Sequence, residues 1–294
     1  MHLDLGIALA GLIVGVVVGL TGMGGGALMT PVLVLVFGIE PLTAVSSDLV
    51  AAVVMKPIGG GIHFRRGTVH TGLVAWLALG SIPGALIGSY VISHLGGNIS
   101  DATKVILGVV LLVAASAMVV RGFVTRHRPE GVNGANGANA TVVRVRRSMT
   151  LLVGFVGGAI VGMTSVGSGS LMIVTLMMLY PTLSARELVG TDLVQAIPLV
   201  LAAALGHVLW GQFELGLTGS LLLGSVPGVI VGAQISSRAP DRIVRPLLVL
   251  VLVLSALKLL DAPNEALAVV LVLAGTGVVT WSIRRRRTID RAES

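Results

Sequence analysis

The chain has 294 residues, 54% of them hydrophobic and 11% charged, with a mean hydropathy of +0.98. A soluble domain carries about 25% charged residues, so a soluble globular protein is excluded, and the absence of cysteine rules out disulfides, thiolate metal sites and a cysteine nucleophile. The net charge of +7 is spread over short loops and tails, which fits positive-inside membrane topology rather than a phosphate-binding face: the expected partner is a lipid bilayer and not a nucleic acid.

In chain order, the start MHLDL lacks the basic region of a secretory signal and no small-residue cleavage site follows its apolar run, so it is read as retained. Residues 5–38 form the first apolar stretch, interrupted by "GLTGMGGG" at 19–26. Glycine costs a helix about 1 kcal/mol per residue relative to alanine, so the cluster marks a break. A crossing helix needs about 20 apolar residues, and 42–62, 69–92 and 102–121 each qualify. The polar, Gly/Asn-rich "RHRPEGVNGANGANATVVRVRR" (126–147) reads as the heart of a flexible cytoplasmic linker over 123–149. A second glycine-broken stretch occupies 150–182, followed by crossings at 188–207, 215–236 and 243–260. One further apolar segment, 266–283, ends in Arg284–Arg287, so 263–294 is an extra helix and a basic tail.

The two series are copies of one unit. Thr21, Gly24, Gly26, Leu28 and Met29 match Thr164, Gly167, Gly169, Leu171 and Met172. "DLV" recurs at 48–50 and 192–194, His63 matches His207, and "GSIPGALIG" (80–88) matches "GSVPGVIVG" (224–232). The halves are 1–122 and 150–262. Basic loops belong in the cytoplasm, and all of them fall there only if each glycine break turns the chain back to the side it came from. The expected fold is therefore an all-α polytopic membrane protein built as an inverted repeat. Each half is a Gly-broken helical hairpin plus three transmembrane helices, and one extra transmembrane helix closes the chain. Secondary transporters use this plan, with the binding site near the midplane.

Non-helical backbone at membrane depth is tolerated where it is buried in protein or lines a wet cavity. Around each break the helix that follows points its N-terminal N–H groups inward, a ready anion site. Thr21, Gly22, Gly24, Gly25 and Gly26 in the first copy, and Thr164, Ser165, Gly167, Ser168 and Gly169 in the second, are the candidate lining. The scattered glycines 72, 80, 84 and 88 and their partners read as close helix packing.

Asp48 and Asp192 sit at matched positions about seven residues into their helices. An intramembrane acid is a functional candidate by default, and both are candidate proton-coupling groups. The competing reading makes them acids of a first helical turn, helped by Ser46, Ser47 and Thr191. Lys56 has no counterpart, since Val200 stands at the matching place. It either favours an anionic substrate beside the break or snorkels to the surface. Gln195, one turn after Asp192, is placed to donate to the same ligand. His63 and His207 fall at helix ends near the interface, where solvation is the ordinary state and a role in proton movement is the lesser alternative.

"GMGGGALMTPVL" (22–33), "AVSSDLV" (44–50) and the weaker second copy make the chain, from about 5 to 262, resemble the sulfite exporter TauE/SafE family of membrane permeases. The resemblance implies a bacterial inner-membrane transporter of sulfite, sulfonates or similar anions, with eight or nine crossings. It marks Gly22, Gly24, Gly25, Gly26 and Pro31 as binding-loop residues, while Val174 replaces the proline in the second copy. The function expected is a secondary transporter of a small anion, driven by the proton gradient, without a cofactor and without an ATPase motif in the chain. A homo-oligomer is compatible with the sequence. A passive channel or the membrane subunit of a larger complex is the alternative, separable by conductance. An aspartyl protease using Asp48 and Asp192 is a third reading, weakened because neither acid carries a glycine-x-glycine-Asp signature, so the protein is not expected to be an enzyme.

Overall fold

The computed structural model describes residues 4–21, 25–65, 67–94, 99–126, 145–210, 213–235 and 241–270. Within these the chain runs through α1 (Leu5–Thr21), α2 (Gly26–Leu35), α3 (Pro41–Arg65), α4 (Thr71–His94) and α5 (Ile99–Arg126). After the linker come α6 (Arg147–Thr164), α7 (Leu171–Leu179), α8 (Ala185–Trp210), α9 (Leu215–Ile235) and α10 (Asp241–Leu259). A further helix begins at 264–270; the rest of the expected C-terminal segment, the linker core, Gly22 and Gly24 lie outside the described residues.

Six described helices are long and apolar enough to cross a membrane: α3, α4, α6, α8 and α9, and Asp101–Val120 of α5. α6, the outgoing arm of the second hairpin, is itself as long as a crossing, at 18 residues or about 27 Å. The stretch expected to cross at 243–260 is α10, a helix of 19 residues.

Both glycine-broken stretches double back. At the first, α1 ends at Thr21 and α2 starts at Gly26, and the two ends meet, with Gly6 packed against the Phe37 ring. At the second, α6 ends at Thr164 and α7 starts at Leu171. There the Arg146 N–H donates to the Tyr180 hydroxyl at 3.0 Å, and Thr150 hydrogen-bonds the same oxygen. In each hairpin a long arm of 17 or 18 residues returns through a short arm of 10 or 9.

Glycine stripes join the long arms to helices distant in sequence. Gly11, Gly15 and Gly19 of α1 face Leu221, Ser225 and Val229 of α9, while Gly224, Gly228 and Gly232 reciprocate toward Ala8, Leu12 and Val16. The same pattern binds Gly80, Gly84 and Gly88 of α4 to Leu151, Phe155 and Ala159 of α6, with Gly154, Gly158 and Gly162 in return. Residue numbers rise together in both pairs, so the partners run parallel. In lipid, close backbone approach is what holds helices together, since burying apolar side chains gains little there. The scattered glycines at 80, 84 and 88 and their partners are thus packing residues, as their spacing implies. α3 and α8 run antiparallel: Ser46 meets His207, and Gly60 meets Leu193 and Ile197.

A methyl at position 84 would lie 2.1 Å from the Phe155 carbonyl oxygen, whereas one at Gly61, inside α3, meets nothing within 4 Å. Gly84→Ala is therefore expected to lower the thermal unfolding midpoint of detergent-purified protein, at a cost of about 1–3 kcal/mol. Gly61→Ala is expected to raise it, by about 0.4–1 kcal/mol.

Candidate functional site

The second break is shaped by three positive-φ residues in five: Ser165 at 59°, Gly167 at 122° and Gly169 at 95°. The glycines adopt this at no steric cost; Ser165, which ends α6, does not, and its hydroxyl shows what it supplies instead. Ser165 Oγ donates to Asp48 Oδ2 at 2.6 Å, and Thr30 Oγ1 of α2 donates to the same oxygen at 3.2 Å. Asp48, fully buried in α3, thus ties the short arm of the first hairpin to the turn of the second. Its other oxygen, Oδ1, has no hydrogen-bond partner and faces the start of α2, 3.7 Å from where a Cβ on Gly25 would stand.

The breaks also touch directly. A Cβ on Gly26 would fall 1.9 Å from the Ser165 carbonyl oxygen, so only glycine fits at the first residue of α2. Neither α2 nor α7 has a side-chain cap: Gly25 and Ser170 precede them without a capping bond, which leaves backbone donors at both starts. Thr164 acts locally, donating to the Ile160 carbonyl at 2.7 Å and accepting the Val166 N–H at 3.1 Å.

Lys56, two turns beyond Asp48 on α3, is 6% exposed. Its ammonium does not snorkel; Nζ donates to Ser168 Oγ in the second break at 2.6 Å and lies within electrostatic range of Asp192 and Asp48. Beside it a cavity of about 50 Å³ is lined by Gly19, Gly25, Lys56, Gly59, Leu193 and neighbouring apolar side chains. One water needs about 10–15 Å³ by the same kind of measure, so the space admits a solute of a few heavy atoms. Asp48, Lys56 and Asp192 are the buried charged side chains among the described residues.

Asp192 is equally buried in α8. Gln195 Nε2 donates to Asp192 Oδ1 at 3.2 Å, and Gln195 Oε1 accepts from Ser81 of α4 at 3.4 Å. Gln195 is therefore engaged by Asp192 and α4, rather than pointing a free amide at a ligand. Thr191 accepts the His70 N–H. The acids are no first-turn caps: each is the eighth residue of its helix, and Asp48's partners come from other elements. The side chain of Thr21, with Gly22 and Gly24, lies outside what is described. Pro31 sits buried inside α2.

One residue departs from its expected setting. His207 is fully buried, held by Ser46 at 2.8 Å through Nδ1 and by the Gly162 carbonyl at 2.7 Å through Nε2. Its place near the end of α8 suggested solvation, but α6 ends against it. His63 is half-buried and pairs with Thr68 Oγ1 at 3.0 Å.

Residues 7–259 match the family model described as sulfite exporter TauE/SafE. Among curated relatives, the chain is 38% identical over 263 residues to the "Probable membrane transporter protein YjnA" of Bacillus subtilis (strain 168), covering 88% of this chain and 100% of that one. It is 26% identical to the "Probable membrane transporter protein YdhB" of the same organism, covering 86% and 99%. No solved structure matches.

The Asp48 knot gives a stability test. Asp48→Leu strands the Thr30 and Ser165 hydroxyls in a buried setting, and an unpaired buried donor costs about 1–3 kcal/mol. The unfolding midpoint in detergent is expected to fall well below wild type, with Asp48→Asn, which can still accept, in between.

Proposed function

The chain belongs to the sulfite exporter TauE/SafE family, and from that premise we propose that it is a secondary transporter moving a small anion across the bacterial cell membrane. The substrate class is sulfite, a sulfonate or a related oxyanion, and the movement is coupled to protons. The observation that carries this reading is Lys56: a buried ammonium, anchored by Ser168 of one break and bordering a cavity that Gly25 of the other break also lines. Burying an ion costs several kcal/mol, which is difficult to account for in a scaffold and natural in a site for the opposite charge. Uncapped starts of α2 and α7 add backbone donors.

Proton coupling follows from charge balance. One buried cation faces two buried carboxylates, so arrival of an anion beside Lys56 raises the uncompensated negative charge, and a proton on Asp48 or Asp192 offsets it. The unpartnered Oδ1 of Asp48 is the atom with room for that proton. Gly25, Gly26, Ser168 and Lys56 are the proposed substrate contacts, with Ser165, Gly167 and Gly169 shaping the turn and Gln195 holding Asp192.

We read the architecture as an inverted repeat of residues 1–122 and 150–262. Supporting it, helix directions agree with the topology drawn from the arginines. That topology starts α1 and α9 together outside, and α4 and α6 together inside, and it opposes α3 to α8. The contacts make the first two pairs parallel and the third antiparallel.

In sulfite-loaded proteoliposomes, Lys56→Gln is expected to raise the half-saturating sulfite concentration about ten- to a hundredfold, the worth of a hydrogen bond to a charged group. Asp48→Asn and Asp192→Asn are expected to lose acceleration by a proton gradient; wild-type kinetics in all three variants would remove this site from transport. Single cysteines at Glu40 and Thr182, both exposed, are expected to react with an impermeant thiol reagent from outside and from the cytoplasm respectively. Reaction of both from one side would overturn the inverted plan.

A further inference from the structure

The hydrogen bonds around His207 define a group that the site above does not use. Val166 N–H bonds the Thr164 hydroxyl, so the Gly162 carbonyl, in the last turn of α6, is left for His207 Nε2. A carbonyl only accepts, so Nε2 carries a proton. On the other side Ser46 Oγ lies 2.8 Å from Nδ1 and also 2.8 Å from the Leu42 carbonyl oxygen. A hydroxyl has one proton to give. With a neutral ring, Ser46 donates to Nδ1. With a protonated ring, Nδ1–H donates to Ser46, whose own proton turns to Leu42. Every polar atom of the cluster is paired in both states.

We propose that His207 is a proton-binding site of the transport cycle, whose protonation clamps the end of α6, and with it the second break, onto α3 and α8. This deepens the transport reading and rests on it for its place in the cycle. On uptake, one proton from bulk water bonds to Nδ1, the Ser46 proton swings to Leu42, and no other bond changes. The imidazolium then donates two charge-assisted bonds, one to a carbonyl at the negative end of a helix. On release the neutral ring keeps only the weaker pair.

Ionisable groups also stand on the surrounding helices. On α3, two residues from Ser46, Asp48 has Oδ2 held by Thr30 and Ser165 and Oδ1 without a partner, and Lys56 bonds Ser168. On α4, Tyr90 stacks on His94 and edges onto Trp210. α6 carries Arg147 at its far end, over Trp76, and α7 carries none. On α8 itself Asp192 is 15 residues away, about 22 Å along the helix.

The test uses full-length protein with nitrogen-15-labelled histidine in detergent, and a single Val166→Cys probe in the otherwise cysteine-free chain. One ring is expected to pass from Nε2-protonated to doubly protonated as the pH is lowered from about 8 to about 4, and to vanish in His207→Gln. Labelling of Cys at 166 is expected to slow about fivefold more over that interval than in the His207→Gln background, which subtracts the thiol's own pH dependence; fivefold corresponds to about 1 kcal/mol of added hydrogen bonding. A ring that stays neutral throughout, or equal pH profiles in both backgrounds, overturns the proposal. Should His207→Gln fail to fold, Ser46→Ala keeps the ring, and the Nδ1 resonance must move while Nε2 holds; an unmoved Nδ1 overturns it too. Neither arm contains an anion, so positive results with no sulfite flux would discard the substrate and keep the proton site.

Discussion

A single carboxylate sets the constraint on which the centre of this protein depends. Asp48 takes hydroxyl donors from α2 and from the turn after α6 on one oxygen, so neither hairpin can shift without leaving a charge unpaired at low dielectric. Gly26 against the Ser165 carbonyl makes the same point sterically. With Lys56 reaching Ser168 from the same helix, α3 acts as a spine that grips the second break at two heights, two helical turns apart.

Around that spine the packing is of a kind suited to lipid. Helices surrounded by hydrocarbon gain little from burying more hydrocarbon, so affinity comes from intimate backbone contact and from polar pairs. The α1–α9 and α4–α6 seams supply the first, with carbonyl oxygens standing where side chains would otherwise be. The buried hydroxyls and acids supply the second, concentrated where the helices stop. The result is a rigid frame around a locally irregular centre, an arrangement in which small changes of charge have somewhere to act.

Much of the frame was legible from hydropathy and spacing, because those signals are local. The crossings at 42–62, 69–92, 188–207 and 215–236 differ from the observed helices by a few residues at their ends, and the glycine spacing of four announced the seams. The second break was legible too, since α6 ends at Thr164 and α7 starts at Leu171, on either side of the glycine and serine cluster. The site residues were named, but their partners were not, since those pairings span large separations: 117 positions for Asp48 and Ser165, 112 for Lys56 and Ser168, 161 for Ser46 and His207. Burial of His207 depends on another helix ending beside it, which no property of α8 encodes.

The two glycine seams make the parts of the chain interdependent. Each runs between a helix encoded before the linker and one encoded after it, so neither segment possesses both walls of its own seam. Expressed apart, the stretches before and after the linker would each lack one wall of both seams, so the two parts are expected to depend on each other for folding rather than to fold in turn.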